Sequence, residues 1–291
     1  MRDEFETGRF ISAGAEELLG REFHLLGKGL IRLVDYMGAD ESVVQAARVS
    51  YGRGTTKRSR DRHLIRYLMR HKHTTPFEMI ETKWHAKMPI FVARQWVRHR
   101  TASINEYSGR YSVMPDEFYV PTPERVQLQS TANRQGSGDA EVPSELQQRV
   151  LDILTSDANQ VFSHYNEMEE ENITRELARI GLPLSAYTEW YWKMDLHNLF
   201  HFLGLRIDKH AQWEMRQYAE KIGEMTKQAW PLCYEAFEDY RLDSTIFSAL
   251  EKRAIKEILG GGDIQKAVDT HLETSFERKE FLEKWGGFQN D

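Results

Sequence analysis

The segment RHRTASINEYSGRYS, residues 98–112, gathers more hydrogen-bond donors than a short surface stretch needs. Arg98, His99 and Arg100 follow directly on the apolar run PIFVARQWV, and Ser103, Ser108, Gly109, Arg110 and Ser112 come after them. With Arg94 they bring several guanidinium groups together against a single local acid, Glu106. Close guanidinium groups repel unless an anion sits among them, and their planar forks match phosphate oxygens two at a time. Ser108, Gly109 and Arg110 add a hydroxyl, a free main-chain N–H and a guanidinium, the parts of a compact phosphate clasp. The competing reading is a helix end that collects cations through its dipole and then turns. The donor density favours a phosphate-bearing ligand.

Other chemistry is less well supported. Residues 48–110 hold 15 Lys/Arg against 4 Asp/Glu, in a chain whose net charge is -6. A basic block inside an acidic protein reads as a focused anion site more than as a duplex-binding face. A nucleic-acid-binding module is nevertheless one alternative. His197 and His201 in HNLFH share a helix face as zinc ligands do, but the glutamate of H-E-x-x-H is missing. Capping, packing or ligand contacts are therefore preferred to a metal, and a metal-dependent nucleotide hydrolase is the second alternative. YGRGTTKRS lacks the spacing of a phosphate-binding loop, and no G-x-G-x-x-G follows a strand. Cys233, in AWPLCYEAFEDY, has no basic neighbour to lower its pKa and reads as a buried structural thiol.

These residues need elements to hold them. GKGLIRLVDYMG reads as a strand ending at Gly38, and DESVVQAARVS as a helix from Asp40. Leu64, Ile65, Leu68 and Met69 share one face of a helix over 60–71. Thr75, Pro76 and Glu78 fit a capping box with proline at the first helical position. In ETKWHAKM the alternation of Thr82, Trp84, Ala86 and Met88 predicts a strand, and Pro89 opens a helix through PIFVARQWVRHR. TASINEYSGR reads as a loop, YSVMPDEFYVP as a strand broken by Pro115, and 129–143 as a disordered loop. Helices follow over 144–170, 172–182, after Asp195 and from Asp208, and the charged tail from about 245 is helical around GGG at 260–262. Strands and longer helices without regular βαβ alternation imply α+β, with a mixed or antiparallel sheet.

Composition agrees with a soluble globular protein: 291 residues, 40% hydrophobic and 29% charged. No run of 18 apolar residues suggests a membrane span, and MRDEFETGRF has no apolar core of a secretory signal. One cysteine forbids an internal disulfide and fits a reducing cytoplasm.

The chain resembles the flavin-dependent thymidylate synthases. Their signature is Arg-His-Arg, seven residues, then Ser, matched here by Arg98-His99-Arg100 and Ser108. AARVSY, DRHLIRYLMRHKHTTPFE, PIFVARQWVRHRTASINEYSGRYS, ARIGLPL and NLFHFLGLRIDKHAQWEMRQYA are similar to family blocks in the same order. The resemblance covers roughly 25–240 and implies an N-terminal extension (1–24), a synthase domain (25–244) and a C-terminal helical extension (245–291). It implies conversion of dUMP to dTMP, with 5,10-methylenetetrahydrofolate as carbon donor and FAD, reduced by NADPH, as hydride source. A homotetramer with sites between subunits, and no nucleic-acid polymer or membrane as partner, is also implied. By position, Gln95, Trp96, Val97, Arg98, Glu106, Tyr107, Ser108, Gly109, Arg110, Arg179 and Arg206 would contact dUMP. Thr75, Arg98, His99, Arg100, Glu106, Asp195, Leu196, His197 and His201 would contact FAD, with His73 near flavin and folate. Relatives often carry Asn, Arg and Asn where this chain has Asp195, His197 and His201. An ionised Asp195 cannot donate, so it would accept from a ribose hydroxyl or cap its helix.

Methylation at uracil C5 needs electron density there. With Cys233 in the wrong setting for covalent addition, the expected route is a guanidinium stabilising a uracil anion, and Arg206 is the catalytic candidate.

Overall fold

The protein is described by a computed structural model covering residues 9–49, 61–129, 138 and 141–290. The chain divides into two compact units, 1–237 and 238–291.

In the first unit, helix α1 (Ala13–Leu18) is capped by Ser12, whose hydroxyl accepts from the Ala15 amide and donates to the Ala229 carbonyl. A Cβ on Gly14 would lie 1.9 Å from the Gln228 carbonyl oxygen, so only glycine allows this close approach. Strand β1 (Phe23–Leu25) then pairs with β2 (Gly29–Met37). Helices α2 (Asp40–Val49) and α3 (Asp61–Arg70) follow, and α3 buries Ile65, Leu68 and Met69 as its spacing predicts. Strand β3 (Glu81–Pro89) leads into α4 (Ile90–Trp96) and β4 (Ser103–Glu106). The long α5 (Ser144–Glu170) and the single turn α6 (Arg175–Ala178) precede β5 (Tyr187–Asp195). Helices α7 (Leu196–Arg206), α8 (Trp213–Ala229) and α9 (Pro231–Phe237) complete the unit.

The five strands form one antiparallel sheet in the order β1-β2-β3-β5-β4. Thr82, Trp84, Ala86 and Met88 are fully buried, and opposite them lie Met194, Trp192, Trp190 and Thr188. Their face packs against α4, α7 and α8. Trp96 of α4 stands edge-on to Trp190 and Trp192, with ring centres 5.6 and 5.0 Å away, and stacks on Phe202 at 5.2 Å. A bulge between Leu33 and Asp35 shifts the parity of β2, so Ile31 and Leu33 are buried and then Tyr36. The opposite face carries Lys83, His85 and Lys87 beside Lys193, Tyr191 and Glu189. No helix among the described residues is long and apolar enough to cross a membrane.

Several local expectations change. TASINEYSGR contains strand β4, and AYTEWYWKMD, not predicted as a strand, is β5. YSVMPDEFYVP is irregular, with one bridge from Phe118 to Ala186, because Phe118 and Met114 pack into a side cluster instead of joining the sheet. Residues 172–182 form only α6 and a 3-10 turn over Arg179–Gly181. Most of the expected loop at 129–143 lies outside the described residues.

The second unit has its own core. Helix α10 (Ala249–Leu259) starts at a Ser248–Glu251 capping box, α11 (Ile264–His271) is capped by Asp263, and α12 (Ser275–Asn290) follows. Ala254, Ala267, Val268, Leu272, Phe281 and Trp285 pack together. GGG supplies the break between α10 and α11, with Gly261 at φ 90°.

Candidate active site

Pro89 sits at the N-cap of α4, where its fixed φ and extended ψ launch the helix. The helix ends at Trp96, earlier than expected, so Arg98, His99 and Arg100 lie beyond it. Their side chains alternate: Arg98 and Arg100 are exposed, while His99 is 8% exposed. The His99 ring lies 5.0 Å from Phe202 and 5.8 Å from His201, and its amide donates to the Trp96 carbonyl at 3.1 Å. Burial, helped by Arg206 and His201, lowers the His99 pKa to about 4. The imidazole is therefore neutral at pH 7, and its buried Nε2 has no partner among the described residues. A buried polar atom of this kind is available to a ligand or a water.

Arg206 ends α7, with Nη2 donating to the Gln95 carbonyl at 3.1 Å. Burial lowers its pKa, and its Nε is also buried without a partner among the described residues. The next helix starts at Trp213, not at Asp208. Asp208 instead accepts from the amide and ring of His210, at 2.8 and 2.7 Å, and so shapes the turn between α7 and α8. The Gln95 side chain donates to Gln212 in that turn. Trp96 is wholly buried, which limits any ligand contact from it to main-chain atoms, and Val97 is half-buried.

A second group lies where β4 leaves the sheet. Glu106 accepts from Thr188 Oγ1 at 2.7 Å, and the Tyr107 amide donates to Glu189 O at 2.8 Å. The Ser108 hydroxyl accepts from the Arg110 amide at 3.3 Å, and Ser108 O accepts from the amides of Tyr111 and Ser112. Arg110 pairs with Glu176 of α6 at 3.0 Å, so its acid comes from a distant segment and not from Glu106. Gly109 lies against Arg179, where a Cβ would be 3.2 Å from its Cδ. Glu106, Tyr107, Gly109, Arg179 and Thr188 line a cleft of about 350 Å³. Arg94, Arg98, Arg100 and Arg179 have no ion-pair partner among the described residues.

The third set is spread along α7 and the 3-10 turn Thr75–Met79. Asp195 caps α7: Oδ1 accepts from the Asn198 amide at 2.9 Å, and Oδ2 from the Asn198 side chain at 2.6 Å. Leu196 is fully buried and its amide donates to Ile80 O at 2.9 Å, so neither its side chain nor its N–H is free for a ligand. His197 is half-buried and His201 exposed. Thr75 is exposed, and the expected capping box does not form because Thr74 is the N-cap and makes no side-chain bond. His73 is exposed and stacked on Tyr67 at 6.1 Å. Among the described residues, no hydrogen bond, ion pair or ring contact joins the Gln95–Arg206 group to the Glu106–Arg179 group.

Thr188, Glu176 and Gln212 were not foreseen. Thr188 lies on β5, whose alternation is masked by three consecutive aromatic residues, and the other two had no local signal. Cys233 is wholly buried, with its amide and thiol both directed at Asp40, and burial followed by the Asp40 charge pushes its pKa well up. It is no nucleophile. No group of three or more His, Cys, Asp or Glu among the described residues could hold a metal ion.

Residues 32–232 match the family model described as "Thymidylate synthase complementing protein". The chain is 54% identical over 260 residues to the flavin-dependent thymidylate synthase of Ehrlichia ruminantium (strain Gardel), covering 89% of this chain and 87% of that one. It is 48% identical over 289 residues to the protein of that name from Rickettsia conorii (strain ATCC VR-613 / Malish 7), covering 95% and 97%. Its fold matches a crystal structure of the UMP/dUMP methylase PolB from Streptomyces cacaoi bound with 5-Br dUMP, with a TM-score of 0.68 and 32% identity. That match covers 77% of this chain and all of the other.

Proposed function

The chain belongs to the flavin-dependent thymidylate synthases, and from that premise we propose how its residues divide the work. The reaction is methylation of dUMP to dTMP. FAD is the flavin, 5,10-methylenetetrahydrofolate donates the carbon, and NADPH is the reductant. The observation that carries the reading is the set of unsatisfied polar groups: Arg206 Nε and His99 Nε2 buried without partners among the described residues, beside exposed, acid-free Arg98 and Arg100.

That donor set fits a dinucleotide cofactor. Arg98 and Arg100 match its phosphates, and His99, His197 and His201 provide ring nitrogens for hydrogen bonds. Asp195 supports the site indirectly by capping α7. When bound, the flavin supplies the reducing chemistry, and the chain's side chains supply orientation and charge.

For dUMP, Arg110, Arg179, Ser108 and the main chain at Gly109 hold the phosphate. Arg206 acts on the uracil. A guanidinium facing N3 and its neighbouring carbonyl stabilises negative charge on that edge and leaves C5 nucleophilic. The anchoring bond to Gln95 O occupies one N–H of Arg206 and leaves its remaining N–H groups for substrate. Lysine would not reproduce a planar fork held at one corner.

No hydrogen bond, ion pair or ring contact among the described residues joins the two residue groups within one chain, and the outer face of the sheet presents Lys83, Tyr191 and Lys193. That separation supports a homotetramer in which one subunit's Arg206 serves another's cleft. The enzyme acts in the cytoplasm. The test is a visible spectrum of the purified, FAD-supplied protein: flavin absorbance bleached by NADPH, followed by dTMP formation when dUMP and folate are added. Absence of both in folded protein would overturn the reading.

A further inference from the structure

Gln95 connects two elements of the site. Its carbonyl accepts from Arg206 Nη2 at 3.1 Å, and its side-chain Nε2 donates to Gln212 Oε1. Gln212 Nε2 in turn donates to Glu214 Oε2 at 2.9 Å. Glu214 is 6% exposed. Its Oε1 faces the Tyr119 hydroxyl at 3.3 Å, and Arg125 Nε at 3.5 Å without hydrogen-bond geometry. Burial, with the Glu214 charge second, raises the Tyr119 pKa, so the phenol stays a donor.

A side-chain amide can be turned over with almost no change of shape, so its direction needs a cause. Here the cause is at the buried end. A carboxylate beside a guanidinium only accepts, so Gln212 must give Glu214 its NH2 and keep its oxygen for Gln95. Gln95 must then commit Nε2 to Gln212. Its Oε1 is the atom left without a partner among the described residues.

We infer that Glu214 is a positioning residue that fixes the hydrogen-bond direction of Gln95 through Gln212, so that Gln95 offers dUMP an acceptor. The inference rests on the reading of this site as a dUMP methylase and on the contact between Gln95 and dUMP that the family resemblance implies. With the N3 edge of uracil facing Arg206, the donor that substrate can supply is the ribose 3′-hydroxyl.

The test is dUMP binding to the full-length, flavin-loaded protein, with KM and kcat measured alongside. Gln212→Met, at an exposed position, and Glu214→Gln should each weaken dUMP binding and raise KM by about fivefold, the scale of one oriented hydrogen bond, with kcat within about twofold. Tyr119→Phe takes a donor from Glu214 without touching the relay and should leave KM unchanged. An analogue lacking the 3′-hydroxyl that no longer separates the variants from wild type would support that hydroxyl as the donor. One that still separates them would overturn the inference. Wild-type affinity in both Gln212→Met and Glu214→Gln would overturn the inference, as would a Tyr119→Phe defect equal to that of Glu214→Gln, which would signify packing alone. A wild-type protein that fails to bind dUMP at all would overturn the underlying assignment instead.

Discussion

Arg206 at the end of α7 is bonded to the main-chain carbonyl of Gln95 within α4, at 3.1 Å. The contact fixes a guanidinium at the junction of two helices while its Nε stays unsatisfied among the described residues. Around it lie a buried neutral imidazole, His99, and the relay through Gln212.

Acid should destabilise the protein through His99. Its pKa in the folded chain is about 4, against an ordinary value of 6.5. Below pH 6.5 the unfolded chain takes up a proton that the folded chain refuses until about pH 4. Stability is thus lost as pH falls through that window, by at most about 1.4 kcal/mol per pH unit from this one group. His99→Gln should flatten the slope between pH 7 and pH 5 in urea unfolding of flavin-free protein. Identical slopes for variant and wild type would contradict the buried neutral ring.

Flavin retention should depend on Arg100. Replacing it with Ala removes an exposed guanidinium that no carboxylate neutralises among the described residues. The expected loss is about tenfold or more in flavin affinity, the scale of one charged hydrogen bond, with little change in melting temperature. Flavin absorbance retained through gel filtration at rising salt measures it, and unchanged retention would remove Arg100 from the flavin site.

Gly109→Ala should act through Arg179. The added Cβ would lie 2.9 Å from Met114 Sδ and 3.2 Å from Arg179 Cδ, so the guanidinium stem must move. A displacement of that size at a phosphate contact should raise the KM for dUMP by about tenfold or more. Steady-state kinetics with dUMP varied would show it, and an unchanged KM would place Arg179 outside the phosphate clasp.

Much of this frame was readable from residues alone, and the exceptions have physical reasons. The alternation at Thr82–Met88 predicted β3 because one side of it is wholly buried. In β5 the same alternation was masked: Tyr191, on the open face, is aromatic like the buried Trp190 and Trp192, so no polar residue separates the two tryptophans. All four residues of β4 are exposed. An edge strand held by main-chain pairing leaves no burial pattern to read. At the candidate site, the donor cluster was visible, but the acid that answers Arg110 lies at Glu176, a separation no local pattern reveals. Asp195 was open between ribose contact and helix cap, and its two bonds to Asn198 identify it as the cap.

In the proposed reaction uracil is made nucleophilic by the Arg206 guanidinium and not by the Cys233 thiol. Tritium release from dUMP labelled at C5 tests it most directly, with Arg206→Ala and Cys233→Ala compared under saturating flavin, folate and reductant. The account predicts a loss of about two orders of magnitude or more for Arg206→Ala, the usual scale for one stabilising donor, and near wild-type release for Cys233→Ala. Full release from Arg206→Ala, or none from a folded Cys233→Ala, would contradict it.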